Sequence, residues 1–280
     1  MIIMKISGGL ASQIHKYMIG HMLSKRMSTE LQLDLTWFDN IPEGDTNREF
    51  LLRHYPIEIN VASDADIKRL KPNRINRFIK RYLPINSHSY SGVSFFDKKY
   101  VNSLNPPIYI EGEWFGDELI AECLNEFKTI FKKELQCDLP KITYNTASIH
   151  VRRGDFYANE NARKLHGVVG EQYYLNAMKL ANKMGYENFV VFSDDIEWVK
   201  SHYFENVSYK LEYCHFDDCI SEFEIMKTFD LVITSNSGFS WLSGWLGNSS
   251  YIISPKRWVS DENVNSRILK NLIDNRMIFL

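Results

Sequence analysis

Short apolar runs alternate with longer amphipathic stretches along most of this chain. Compact runs of branched and aliphatic residues suit buried strands; apolar positions three and four apart suit one face of a helix. Met1–Ile6 reads as a strand, Ser7–Ala11 as a glycine turn and Ser12–Met27 as a helix. Ser12 is its expected N-cap, with Ile14, Met18 and Met22 on one face. Leu31–Asp34 and Ile108–Ile110 read as further strands, followed by a helix near Asp117–Lys132. The proline-bearing stretch LQCDLPKI then interrupts the pattern.

After it the alternation restarts. Ala147–Val151, Phe189–Phe192, Leu231–Ile233 and Tyr251–Ile253 read as strands. Gln172–Met184, Glu197–Tyr203, Ser221–Thr228 and Phe239–Leu246 read as helices. Strands alternating with helices imply parallel sheets with crossover helices. The expected fold class is therefore α/β, with two Rossmann-like lobes covering 1–140 and 141–280 and joined near Leu139–Tyr144. No internal repeat or low-complexity segment interrupts either run.

Composition narrows the picture. The chain has 280 residues and a formal net charge of −2. That balance gives no electrostatic case for nucleic acid as the main partner. Four scattered cysteines (Cys123, Cys137, Cys214, Cys219) do not make a disulfide scaffold, so a reducing, cytoplasmic compartment is expected. The apolar part of MIIMKISGG is too short for a signal peptide. Leu231–Pro255 carries no charged residue, but its serines, asparagines and glycines argue against a bilayer span.

Candidate chemistry gathers where strands end. In open parallel sheets, ligands sit outside the carboxyl ends of the strands. Ala147–Val151 runs into Arg152, Arg153 and Asp155, and Phe189–Phe192 into Ser193, Asp194 and Asp195. Leu231–Ile233 runs into Ser235, Asn236, Ser237 and Gly238, and Tyr251–Ile253 into Ser254, Pro255 and Lys256. Arginine's planar fork grips phosphate oxygens at two points. A charge pair at about 4 Å is worth on the order of 1 kcal/mol in water and roughly 4 kcal/mol in a partly buried cleft. The competing reading pairs Arg152 and Arg153 with carboxylates as surface salt bridges. Ser237 and Gly238 open a helix whose first N–H groups form an anion site, with no carboxylate nearby in sequence.

Other motifs weigh less. GGLASQ holds half of a dinucleotide fingerprint, which makes an NAD-dependent oxidoreductase a weak rival. Asp64-Ala65-Asp66 matches a metal-binding carboxylate pattern but follows no clear strand. Cys214, His215 and Cys219 lack a second ligand pair at zinc-finger spacing and read as buried thiols. Arg153-Gly154-Asp155 spells an integrin tripeptide by coincidence. Lys68–Arg81 holds seven cations and no acid, the pattern of a helix on an anionic membrane surface or of a solvated basic face.

Together these stretches resemble a known family. HVRRGDF, GGLASQ, FSDDIEWVK, ITSNSGFSWLSGWL and SPKRW, with IYIEGEWFGDEL and GEQYYLNAMKLA, are similar in order to the bacterial α-1,2-fucosyltransferases of glycosyltransferase family eleven. The arginine motif is shared with the wider α-1,2/α-1,6/O-fucosyltransferase group. The resemblance implies a GT-B-type architecture: an acceptor-side first lobe, and a second lobe that binds a GDP-sugar such as GDP-fucose. It also implies inversion at the anomeric carbon and neither a metal nor another cofactor. By that resemblance Arg152 contacts the donor's β-phosphate, His150 lies near the guanosine and Glu222 stands where an aspartate reads guanine. Ser237, Gly238 and Phe239 bind the diphosphate, and Gly8, Gly9 and Gln13 approach it from the first lobe. Arg153, Asp194 and Ser235 complete the expected donor-binding set. Asp155 and Glu160 are the candidates for the base that accepts the acceptor's proton.

Ala11, Ser12, His15, Lys16, Glu113, Gly116, Gly238 and Leu242 depart from the family pattern. These departures leave several readings open: L-fucose, another 6-deoxy sugar such as colitose, or donor binding without transfer. The acceptor implied is a galactose-terminated glycan of surface polysaccharide. Taken with the basic segment, a lipid-linked acceptor at the inner face of a bacterial membrane is expected.

Overall fold

A computed structural model describes residues 1–71, 87–95, 101–102, 104–115, 120–135, 140, 142–154, 157, 160–205, 207–216, 218–272 and 274–280. The chain divides into two compact units, Met1–Phe131 and Lys132–Leu280. Each is an α/β layer structure on a wholly parallel sheet, which bears out the expected fold class.

The first unit carries β1 (Ile2–Lys5), β2 (Leu31–Asp34), β3 (Ser87–Phe95) and β4 (Ile108–Phe115), ordered β2-β1-β4-β3. Ile2, Ile3 and Met4 are fully buried because β1 is an interior strand. The long helix Leu10–Arg26 follows it. Gly9, with no side-chain cap bond, is its N-cap, so Ser12 lies inside the first turn. Gly8 turns the chain at φ +81°, a left-handed conformation that glycine adopts without strain. The helix is therefore capped three residues earlier than the polar side chain of Ser12 suggests. The Asp64-Ala65-Asp66 segment opens the helix Asp64–Leu70: Ser63 caps it, and Asp66 pairs with Arg69 at 2.7 Å. Helix capping accounts for those carboxylates.

The second unit carries β5 (Thr146–Val151), β6 (Asn188–Ser193), β7 (Lys210–Cys214), β8 (Leu231–Ile233), β9 (Tyr251–Ser254) and β10 (Met277–Phe279). Their order is β10-β9-β8-β5-β6-β7. The chain builds outward from β5 through β6 to β7, then returns to the other side of β5 and builds outward again. This is the order of dinucleotide-binding sheets, and the crevice opens where the direction reverses, between β5 and β8. β5 is buried along its whole length and β8 likewise, as expected for strands covered by helices on both faces.

Leu231–Pro255 supplies β8, the helix Gly238–Leu246 and β9. No helix among the described residues is long and apolar enough to cross a membrane. Arg276 holds the far end of the helix Gly238–Leu246. Its guanidinium donates to the Trp245 and Ser249 carbonyls at 3.1 Å and pairs with Asp274 at 2.7 Å. A cation at a helix C-terminus is favourable for the dipole. Cys123 and Cys214 are only half-buried, and Cys219 is exposed. The expected burial of Cys214 and Cys219 fails because Cys219 starts the helix Cys219–Met226 on its solvent side. Cys137 and most of Lys68–Arg81 lie outside the described residues.

Candidate active site

Strand register explains the chemistry at the rim. β5 and β6 run parallel with Val151 opposite Ser193. The residues that leave the sheet next are therefore Arg152 and Arg153 on one strand, Asp194 and Asp195 on the other. Arg152 Nη1 meets Asp194 Oδ2 at 2.9 Å, and Arg153 Nε meets Asp195 Oδ2 at 2.9 Å. The backbone N–H of Arg153 donates to Asp194 Oδ1, also at 2.9 Å. The Arg153 guanidinium is sandwiched, 3.3 Å from the Trp198 ring centre and 4.2 Å from that of Tyr157. Such stacking fixes the fork in place. Arg153 is thus built into the loop's framework. The competing salt-bridge reading is met in both arginines, with the two aspartates that follow β6 as their partners.

On the other side of β5, Ile149 pairs with Ile233 of β8. This brings His150 beside the loop that follows β8: His150 Nδ1 lies 3.2 Å from Ser235 Oγ. Its ring also packs against Phe239, with centroids 5.4 Å apart. Burial lowers the His150 pKa to about 4; Asp194 opposes the shift and Arg152 adds to it. The imidazole is therefore neutral near pH 7.

Ser237 caps the helix Gly238–Leu246 by accepting from the Phe239 N–H at 3.3 Å. No acid stands in that helix's first turn. Asn236 stitches the loop to its neighbours, donating to the His166 carbonyl at 2.9 Å and the Trp258 carbonyl at 3.3 Å. The Tyr173 hydroxyl is shared between the Thr234 and Ile253 carbonyls at 2.9 and 3.0 Å. Thr234 Oγ1 and Asn236 Oδ1 are buried without a hydrogen-bond partner among the described residues. Each such group costs about 1–3 kcal/mol, so its presence in a loop at the crevice suits a ligand or a water.

Glu222, in the helix Cys219–Met226, is almost fully buried. Burial raises its pKa to about 7; the Asp194 charge adds to the rise and the Arg152 charge opposes it. Glu222, Asp194, Arg152 and His150 thus form one electrostatic cluster. The folded chain holds the Glu222 proton more tightly than the unfolded chain, whose carboxyl titrates near 4.5. As pH rises from about 4.5 to about 7, this group lowers stability, by an upper limit of about 3 kcal/mol. His150 works the other way. The unfolded chain binds its proton and the folded chain does not, so stability rises between pH about 4 and 6.5. Glu222→Gln removes the first effect only. Urea titrations across pH 5–8 should therefore find E222Q gaining on the wild type up to about pH 7 and levelling off above it. A pH-independent difference would contradict the assignment.

Other expected residues fall elsewhere. Glu160 pairs with Lys164 at 2.7 Å, both side chains about two-thirds exposed. Asp155 lies outside the described residues. Gly8, Gly9 and Gln13 belong to the first unit. Gln13 is fully buried there; its amide donates to the Gly8 and Glu49 carbonyls at 2.8 and 2.7 Å and accepts from the Leu51 N–H at 2.8 Å. That side chain holds the glycine turn to the 49–51 segment. Trp198 and Gly154 join the site without a signal of their own in the sequence. Only their place beside the arginine and aspartate motifs could have flagged them. A cavity of about 240 Å³ bordered by Thr143, Tyr144, Lys210 and Glu212 opens at the amino ends of β5–β7, away from this cluster.

Set beside known proteins, residues 59–273 match the sequence pattern of glycosyl transferase family 11. The chain belongs to that family. As a family 11 glycosyltransferase it is 29% identical to an α-1,2-colitosyltransferase from Escherichia coli, covering 95% of this chain and 94% of that one. It is 26% identical to the O-antigen biosynthesis glycosyltransferase WbnK of Escherichia coli, covering 96% and 98%. Among solved structures, POFUT1 in complex with GDP-fucose aligns over 89% of this chain and 94% of its own, at 12% identity and a TM-score of 0.40.

Proposed function

We propose that this glycosyltransferase moves a 6-deoxy sugar from a GDP donor to the 2-hydroxyl of a galactose-type residue in O-antigen synthesis. Transfer would proceed with inversion and without a metal. The observation that carries the reading is the meeting of two strand ends. His150 and Ser235 touch across the switch point, with Arg152 and the Ser237-capped helix each two residues further on. As the glycosidic bond breaks, negative charge grows on the departing diphosphate. A fixed guanidinium and helix N–H groups stabilise that charge in the way an oxyanion hole does. Neutral His150, Phe239 and Glu222 would receive the nucleoside, with Ser235 holding the imidazole. The role of base falls to Asp155, which adjoins the arginines in sequence, because Glu160 is engaged with Lys164 in solvent.

The colitosyltransferase relative favours colitose as the sugar. The arginine motif shared with fucosyltransferases favours the second reading, L-fucose from GDP-β-L-fucose. Incubation with GDP-colitose or GDP-fucose, a galactose-terminated acceptor and EDTA decides between them. An α-1,2-linked product in EDTA is expected. GDP binding without product from either donor would reduce the protein to a donor-binding module, and product only with added metal would end the metal-free reading.

A lipid-linked acceptor would account for the cations of Lys68–Arg81. Co-sedimentation with vesicles should then rise with anionic lipid content, and binding indifferent to that content would count against it.

A further inference from the structure

The two aspartates after β6 answer the two arginines after β5 one for one, and the first of them does more than pair. Asp194 spends both oxygens on the arginine loop: Oδ2 on Arg152 Nη1 and Oδ1 on the Arg153 backbone N–H, each at 2.9 Å. It also presses against Gly154, where an added Cβ would lie 2.6 Å from Oδ2 and 3.0 Å from Cγ. Real Cβ atoms do not approach that closely, so any other residue at 154 would displace the carboxylate or the loop. The second aspartate locks Arg153, whose guanidinium is already stacked between Trp198 and Tyr157.

A carboxylate is a poor ligand for a diphosphate, because like charges repel. The same carboxylate behind an arginine is useful: it orients the planar fork before the ligand arrives. We propose that Asp194 is a positioning residue that fixes Arg152 for the departing diphosphate, and that residue 154 is glycine to admit the Asp194 carboxylate. This rests on the function proposed above and removes Asp194 from the set of groups that contact the donor.

The test is a cycle of variants read by GDP titration, continued to millimolar GDP, with melting temperature measured in parallel. Asp194→Asn keeps the shape and removes the charge. It should weaken GDP binding about tenfold, equivalent to about 1.4 kcal/mol. In an Arg152→Ala background the same change should alter affinity less than twofold, since there is no guanidinium left to orient. Gly154→Ala should reproduce the loss although it removes no charged group. A tenfold loss from D194N that persists in R152A would mean that Asp194 acts independently of Arg152, and would overturn the proposal. Unchanged GDP affinity in D194N and G154A would overturn it too. Wild-type protein that does not bind GDP would instead sink the function reading itself.

Discussion

Arg152→Ala is expected to lose at least about a hundredfold in sugar transfer while the protein stays folded. A hundredfold corresponds to about 2.7 kcal/mol of transition-state stabilisation. A single charge contact in a partly buried cleft supplies roughly 4 kcal/mol at about 4 Å, so one guanidinium can carry that loss. Its side chain is about one-fifth exposed, which leaves it accessible at the rim while limiting screening. The fold should tolerate the change. Asp194 is itself a quarter exposed and keeps its bond to the Arg153 backbone, so the cost to stability should stay within about 1 kcal/mol. Glu222 would lose a neighbouring cation and hold its proton to still higher pH, which a shifted pH profile of GDP binding would report. Steady-state kinetics with the donor varied, beside thermal melting, checks both halves. Near-wild-type transfer in R152A would remove this arginine from the chemistry.

Lys227→Met should destabilise the second unit by about 3–5 kcal/mol, the usual cost of breaking a buried ion pair from one side. Lys227 Nζ meets Glu224 at 2.8 Å, with side chains 8% and 5% exposed. Burial lowers the Lys227 pKa and the Glu224 carboxylate opposes that shift. Methionine fills the same volume but leaves Glu224 charged without this counter-ion. At about 2–4 °C per kcal/mol, the melting temperature should fall by about 10 °C. Replacing both partners, as Glu224→Gln with Lys227→Met, should recover much of the loss, because no uncompensated charge remains. A single variant that melts within a degree or two of the wild type would show that the pair is better solvated than its burial implies.

The strands at the centre of each sheet were readable in advance because they are buried on both faces. An interior parallel strand is a continuous apolar run, as in Ile2–Lys5 within the expected Met1–Ile6 and in Leu231–Ile233. Among the edge strands Leu31–Asp34 is found, but β3, β7 and β10 are not read from the sequence. β7 alternates exposed and half-buried residues, and β10 is short and only partly covered. The helix Glu262–Asn271 buries Ile268 alone, so its pattern is dominated by polar residues. The clusters of arginine, aspartate and serine at the strand ends were legible from the same alternation that located the strands. Which aspartate meets which arginine was not. That depends on Val151 standing opposite Ser193, a matter of register between strands 42 positions apart in the chain. The second candidate base illustrates the converse. Proximity in sequence put Glu160 near the arginines, but one turn of helix points it into solvent with Lys164.

The opening between β5 and β8 has a consequence for how such a protein can change. It arises from the path of the chain and is not carved by removing side chains, so the scaffold survives whatever happens at its lip. Substitutions in the exposed turns after β6 and β9 can reshape what enters without weakening the sheet beneath. Selection for a new surface sugar is therefore free to act on a handful of exposed turns, and diversification of the coat need not wait for a new fold.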